Sequence, residues 1–153
     1  MDDVKNYTES IYYELQQTAK FCKTLGIQLF EKIQIGITSD EYSILDTLTC
    51  NENICQRDLA KLILRDRANT GRILKSLEKK KLIKRFVDIK NNRLVMKMEI
   101  TEEGKNLWQK ATIKIQPIIA ECVEKVSRQE IENLRTSLKK MREKLSDMVD
   151  FQI

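Results

Sequence analysis

The sequence of 153 residues predicts a mainly α-helical fold with one small β-hairpin. Over most of the chain, apolar residues recur at steps of three and four, the spacing of helices that bury one face. Glycine and proline are scarce, at four and one, so few loops are expected. Two runs rich in strand-forming residues, 83–89 and 94–100, flank a short polar stretch, a pattern typical of a hairpin.

Four helices are expected before the hairpin. The first covers about residues 8–33 and carries apolar residues along one face. The second is short, and Thr38 or Ser39 can cap it. The third and fourth are predicted over 56–64 and 67–80, with Asp66 as the N-cap of the fourth.

Two more helices follow the hairpin. Thr101 is expected to cap the first of them, and Pro117 within it is expected to kink it. The last helix has a narrow apolar seam of the kind that packs on another helix. The seam consists of Ile131, Leu134, Leu138, Met141, Leu145 and Met148. Dimerisation is the favoured interpretation, and packing within the chain is the alternative.

The net charge of +5 is distributed unevenly along the chain. Residues 1–55 carry −5, residues 56–97 carry +10, and residues 98–153 are neutral. A basic stretch inside an acidic or neutral frame indicates a module that binds a polyanion. A solvated, lysine-rich surface is the alternative that charge alone does not reject.

Several classes of function are disfavoured by what the sequence lacks. Without histidine, a hydrolase built on a Ser-His or Cys-His pair is impossible, and no other catalytic constellation is visible, so we expect no enzyme. The four cysteines have no paired spacing, so a zinc site is not expected. No cofactor is expected either. With neither a signal peptide nor an apolar run of about 18 residues, the protein is expected in the cytoplasm and not in a membrane.

The order of the elements predicts a winged helix-turn-helix domain over residues 38–104. The hairpin is its wing, and the basic charge lies within it. The N-terminal helix (1–37) and the C-terminal helices (105–153) are expected to form a helical dimerisation layer.

Several segments of this middle region resemble the MarR family of bacterial regulators. Residues 54–62 look like the first helix of its DNA-binding motif, and residues 67–83 look like its recognition helix and the exit into the wing. Asn92-Arg93 and the segment 100–104 resemble the wing arginine and the Thr-Glu-x-Gly close of the wing. The sequence departs from the family at Asn92, where Asp is frequent, at Lys81, where Gly is usual, and at Cys55, a position often held by Thr or Ser.

The resemblance implies a homodimer that regulates transcription by binding a palindromic operator in double-stranded DNA, most commonly as a repressor. In the recognition helix, Arg67, Asn69, Thr70 and Arg72 are the expected base readers, and Lys75 is placed for phosphate. Arg57 and Lys61 are expected at the DNA backbone, with Lys90 and Arg93 in the minor groove. Lys79, Lys80 and Lys81 are interpreted as solvated charges. The alternative function is a winged-helix module that binds protein without specific DNA binding.

Two release mechanisms are considered. A small aromatic effector could bind among aromatic side chains, although ordinary core packing is the favoured interpretation of them: Tyr12, Tyr13, Phe21, Tyr42 and Trp108. Oxidation could act on Cys22, Cys50 or Cys55, whereas the alternative treats Cys22 and Cys122 as small core residues.

Overall fold

The computed structural model describes residues 6–64 and 67–150. These residues contain six α-helices and one two-stranded antiparallel sheet, which confirms the predicted fold class. By its internal contacts the chain divides into two compact units, Met1–Ser39 and Asp40–Ile153, which are described separately.

The first unit contains a 3-10 turn, Tyr7–Glu9, and helix α1, Ile11–Ile33. The expected start of this helix near Thr8 is wrong because Ser10 adopts an extended conformation and caps α1, its side chain accepting a hydrogen bond from the Tyr13 amide. Gln34, in a left-handed conformation, ends α1. Leu29 and Phe30 are its buried residues.

From Asp40 onward, the second unit contains three helices around a common core: α2 (Ser39–Cys50, of which Ser39 is the last residue of the first unit), α3 (Gln56–Leu62) and α4 (Arg67–Lys79). Their fully or almost fully buried side chains are Ile44, Leu45, Leu48, Leu59, Ala60, Leu74 and Leu77. Burial of each large aliphatic side chain contributes about 1.5–3 kcal/mol. Helix α3 ends two residues earlier than predicted, and Leu62 at its end is exposed. Asp66, the predicted cap of α4, lies outside the described residues.

The wing is a regular hairpin of β1 (Ile83–Lys90) and β2 (Arg93–Ile100). Asn91 and Asn92 connect the strands, and both have positive φ, at 50° and 59°. Such a two-residue connection matches the right-handed twist of the strands, and Asn tolerates the left-handed region better than most residues. At the base, Ile83 and Met98 are buried in the core.

The hairpin is joined to its neighbouring helices by a close backbone junction. After α4, Lys81 takes a left-handed φ of 60°, and the Leu82 amide donates to the Leu77 carbonyl at 3.0 Å. These features match a Schellman motif, in which glycine normally occupies the left-handed position. After β2, the Thr101 amide donates to the Leu82 carbonyl at 3.0 Å, and its hydroxyl donates to the Lys81 carbonyl at 2.8 Å.

Two long helices complete the second unit: α5 (Glu102–Cys122) and α6 (Arg128–Met148). Thr101 caps α5 as expected, and the helix continues through Pro117 without a break. Ser127 and Glu130 form a capping box at the start of α6, which has no buried residue. In the described part of the chain, no helix combines the length and apolarity needed to cross a membrane.

Candidate nucleic-acid interface

Helix α4 presents its basic residues on its exposed face. Arg67, Arg72 and Lys75 are exposed, together with Ala68, which sequence reasoning did not select. Leu74, Leu77 and Thr70 form the opposite, buried face. The expectation that Thr70 reads DNA bases is therefore corrected, because its side chain is fully buried.

Two of the three remaining reader candidates on α4, Asn69 and Arg72, interact with each other. The Asn69 amide oxygen accepts a hydrogen bond from Arg72 Nη2. One turn of helix separates the two residues, so the contact fixes the guanidinium beside the amide group. Gly71 lies between them, and a β-carbon there would lie 3.4 Å from the side-chain nitrogen of Gln56 at the start of α3. Helix α3 thus packs closely against this part of α4.

A cleft of about 620 Å³ lies between α3 and the wing. Four predicted DNA-binding residues line it: Arg57 and Lys61 from α3, and Lys90 and Arg93 from the ends of the strands. Among the described residues, the Arg93 side chain has no hydrogen-bond or ion-pair partner. The cleft therefore brings together cations from sequence segments about thirty residues apart, and cations in a concave surface suit a phosphate backbone.

Asp58 lies within this cationic cleft and was not predicted as a functional residue. One of its carboxylate oxygens accepts hydrogen bonds from Cys55 Sγ at 3.0 Å and from Lys90 Nζ at 2.7 Å. The hydrogen bond from Cys55, followed by that from Lys90, lowers the pKa of Asp58, and the same carboxylate raises the pKa of Lys90. The ammonium group of Lys90 is thus bound to α3, although sequence reasoning assigned it to the minor groove.

A second carboxylate, this one buried, supports the C-terminal end of α4. Glu41 of α2 accepts hydrogen bonds from Ser76 Oγ at 2.6 Å and from Lys80 Nζ at 2.7 Å. The side chain of Glu41 is 4% exposed and that of Lys80 is 39% exposed. The interpretation of Lys80 as a solvated charge is therefore wrong, because it neutralises a buried anion. Only a contact between distant segments reveals this role.

The aromatic candidates for an effector pocket are divided between the two units. In the first unit, Tyr12 and Tyr13 pack against Tyr7, with ring centroids 6.1 and 5.6 Å apart, and Phe21 is exposed. In the second unit, the hydroxyl groups of Tyr42 and Thr112 are 3.0 Å apart, and Trp108 Nε1 donates to Asp46 at 2.9 Å. These last contacts connect α2 with α5 and give the two aromatic residues a structural function.

The cysteine candidates differ in their exposure. Cys22 and Cys50 are exposed, and Cys55 is buried at the start of α3. Cys122 is also exposed, so the alternative that Cys22 and Cys122 are core residues is wrong for the single chain. Among the described residues, no three or more His, Cys, Asp or Glu side chains cluster closely enough to hold a metal ion.

Comparisons with known proteins agree with this architecture. Residues 37–95 match the model of the MarR family. The structure is similar to that of MepR from S. aureus in complex with DNA, with a TM-score of 0.76, 25% identity, and coverage of 92% of this chain and 99% of that chain. The transcriptional regulator SlyA gives a TM-score of 0.76 and 27% identity, covering 90% of this chain and 95% of that chain.

Apo MarR from E. coli shares the fold, with a TM-score of 0.69 and 19% identity over 86% of this chain and 96% of that chain. No protein of curated function matches the chain. The family match falls on the helices and hairpin that carry the basic surface, and the structural similarity extends over most of the chain. Residues 37–95 therefore match the MarR family, and most of the chain has the winged helix-turn-helix fold of the solved structures of MepR and SlyA.

Proposed function

We propose that the protein is a homodimeric transcriptional repressor that recognises a palindromic operator in double-stranded DNA. The exposed basic face of α4, beside the cationic cleft between α3 and the wing, carries this proposal. The similarity to MepR, whose structure was solved in complex with DNA, supports the same use of the surface here. Such a regulator would act in the cytoplasm.

In this proposal α4 enters the major groove. Arg72 would donate to the O6 and N7 atoms of guanine, and Asn69, which already contacts Arg72, would orient it or bind a neighbouring adenine. Ala68 adds a small apolar group on the same face, a group suited to the methyl of thymine. Lys75 and Arg67 are exposed on the same helix and would contact phosphate and bases.

The cleft would follow the DNA backbone from α4 to the wing. Arg57 and Lys61 are exposed on α3 and would bind phosphate. At the wing, Arg93 is the better candidate for the minor groove, because Lys90 is engaged by Asp58. Each phosphate neutralised in this way releases counterions, so binding should weaken steeply as salt rises.

The dimer is proposed from the surface of α6. Its predicted seam has no buried member, with Leu134 51% exposed and Met148 70% exposed. A helix with an apolar stripe is normally buried along that stripe, so a second copy of the chain is the expected partner. A two-fold dimer would present its recognition helices to half-sites about 34 Å apart.

Release from DNA by a small aromatic ligand or by cysteine oxidation remains part of the proposal. Cys22 and Cys50 are exposed to an oxidant. Oxidation of Cys55 would remove the hydrogen bond that it donates to Asp58 within the cleft. For a ligand, the hydrogen bonds of Tyr42 and Trp108 favour a structural role over a pocket.

Selection from a random duplex library tests the function. We expect enrichment of a palindrome with half-sites about one helical turn apart. Asn69→Ala should relax base preference, whereas Arg93→Ala should weaken binding to all duplexes and reduce the salt slope by about one. Lys110→Ala is the matched control, since it removes one exposed cation from α5. Failure to enrich any sequence, with equal and weak binding by all variants, would refute the proposal and favour a protein-interaction module.

Repression itself is tested with the enriched palindrome. A reporter promoter that contains it should lose transcription when the wild-type protein is expressed, and should recover with Arg93→Ala. Activation of that promoter would contradict the proposed repressor role. Adding mild peroxide to the DNA-binding assay then tests oxidation, and a Cys22→Ser, Cys50→Ser and Cys55→Ser series identifies the responsible thiol.

A further inference from the structure

The conformation of the wing tip is energetically unfavourable if only the residues of the hairpin are considered. Lys90 and Arg93 lie directly opposite each other as the closing pair of the hairpin. Like charges in that position destabilise strand pairing. Between them, Asn91 and Asn92 both occupy the left-handed region, which non-glycine residues seldom adopt. The tip therefore requires support from outside the hairpin.

Asp58 supplies that support from α3. Its Oδ2 atom lies 2.7 Å from Lys90 Nζ and neutralises one of the two opposed cations. The same oxygen accepts the hydrogen bond from Cys55, and this residue forms an antiparallel bridge with Lys97 of β2. The Asp58 carboxylate therefore contacts the tip of the wing, and Cys55, which donates a hydrogen bond to it, is paired with the middle of β2 in the same hairpin.

We propose that Asp58 is a positioning residue of the DNA interface. By holding Lys90 against α3, it fixes the orientation of the wing tip and, through the closing pair, of Arg93. The proposal rests on the proposed DNA-binding function and deepens it. The Asp58 carboxylate itself does not contact DNA in this scheme, and its effect on binding is transmitted through the wing.

Simple electrostatics makes the opposite prediction. Asp58 is an anion in a cleft that would bind phosphate, so its removal should strengthen DNA binding. Removal would also leave Lys90 available to neutralise a further phosphate and steepen the salt dependence. A positioning role predicts weaker binding despite the gain of positive charge. The sign of the affinity change therefore separates the two explanations.

The experiment compares Asp58→Asn with Asp88→Asn, using fluorescence anisotropy with a mixed-sequence duplex of about three helical turns. Asp88 is a matched control because it also pairs with a lysine, Lys97 at 2.5 Å, and has similar exposure. Each substitution removes one negative charge, so both variants have the same net charge. We expect Asp58→Asn to bind about two- to fivefold more weakly, the range of an exposed ion pair. Asp88→Asn should bind as tightly as the wild type or tighter.

A charge reversal provides the rescue. Asp58→Lys combined with Lys90→Asp keeps the net charge and places opposite charges at the same two positions. Binding should return to within about twofold of the wild type if the ion pair positions the tip. A double variant that binds no better than Asp58→Asn would overturn the proposal.

Hydrogen exchange of the DNA-free protein separates failure of this inference from failure of the proposed function. In Asp58→Asn, amides at the wing tip should exchange about two- to fivefold faster, while the urea midpoint of unfolding is unchanged. Wild-type protein that binds no duplex would refute the DNA-binding function and leave the exchange result to test the contact itself. Tighter binding by Asp58→Asn, with unchanged exchange at the tip, would refute the positioning role.

Discussion

Replacing Gly104 with alanine tests the junction between the wing and α5. A β-carbon at this position would lie 2.1 Å from the Leu82 carbonyl oxygen and 2.8 Å from Ile100 Cγ1. Ordinary contacts begin near 3.4 Å, so backbone must move by about 1 Å. The same carbonyl accepts the Thr101 amide. Overpacking costs about 1–3 kcal/mol and loss of that hydrogen bond about 1 kcal/mol, so we expect the free energy of unfolding to fall by about 3 kcal/mol.

The assay is urea unfolding monitored by circular dichroism, with all variants at one protein concentration because dimerisation would affect the midpoint. Gly26→Ala in α1 is the control, since the nearest atom to its added β-carbon is Ser39 Cβ at 3.6 Å. Helix propensity predicts that this change stabilises the protein by about 0.5–1 kcal/mol. A Gly104→Ala protein with the wild-type midpoint would refute the steric argument.

Two further predictions concern the end of α4. Lys81→Gly should raise the free energy of unfolding by about 1 kcal/mol, because the left-handed conformation is costly for lysine. Lys79→Gly should lower the free energy of unfolding by about 1 kcal/mol, because glycine disfavours a helical conformation at this position of α4. Lys80→Ala should lower the free energy of unfolding by about 2 kcal/mol, because the buried Glu41 carboxylate loses the ammonium group of Lys80. This loss is smaller than for a fully buried ion pair because the lysine is partly exposed to water. Lys79→Ala should change the free energy of unfolding by less than about 0.5 kcal/mol. Urea midpoints test both, and equal values for Lys80→Ala and Lys79→Ala would contradict the second.

Helices and strands were predicted well where capping residues, the spacing of apolar residues and turn residues all indicated the same boundary. Thr101 precedes two acidic residues and then an apolar period, and α5 begins at Glu102 as those signals indicate. The strands were expected to meet at a polar, asparagine-containing stretch, and the turn forms at Asn91 and Asn92. These signals are local, because caps and turns satisfy backbone groups within a few residues.

Side-chain orientation was harder to predict in the short helices. Thr70 was selected as a base reader because short polar residues suit the start of a recognition helix, yet it is fully buried. The third helix was predicted to extend to residue 64, yet it ends at Leu62, whose apolar side chain is exposed. In helices of 7 and 13 residues, the apolar period covers few turns, so packing against neighbouring helices decides the buried face.

The two carboxylates that organise the candidate interface were not recognised from the sequence at all. Asp58 and Lys90 are 32 residues apart, and Glu41 and Lys80 are 39 residues apart. No local spacing marks such pairs, since they form only when α3 meets the wing and α2 meets α4. An acidic residue within a basic stretch is a weak signal, and here Asp58 carries it.

The wing depends on these distant contacts because its local backbone does not favour it. It follows Lys81 and turns at Asn91 and Asn92, three non-glycine residues in the left-handed region. Each such conformation costs of order 1 kcal/mol, somewhat less for asparagine. The compensating contacts come from other elements: Thr101 hydrogen-bonds the Lys81 carbonyl, and Asp58 binds the tip. Because the support is external, substitutions on α3 or at the start of α5 should alter DNA binding without removing any cation from the proposed interface.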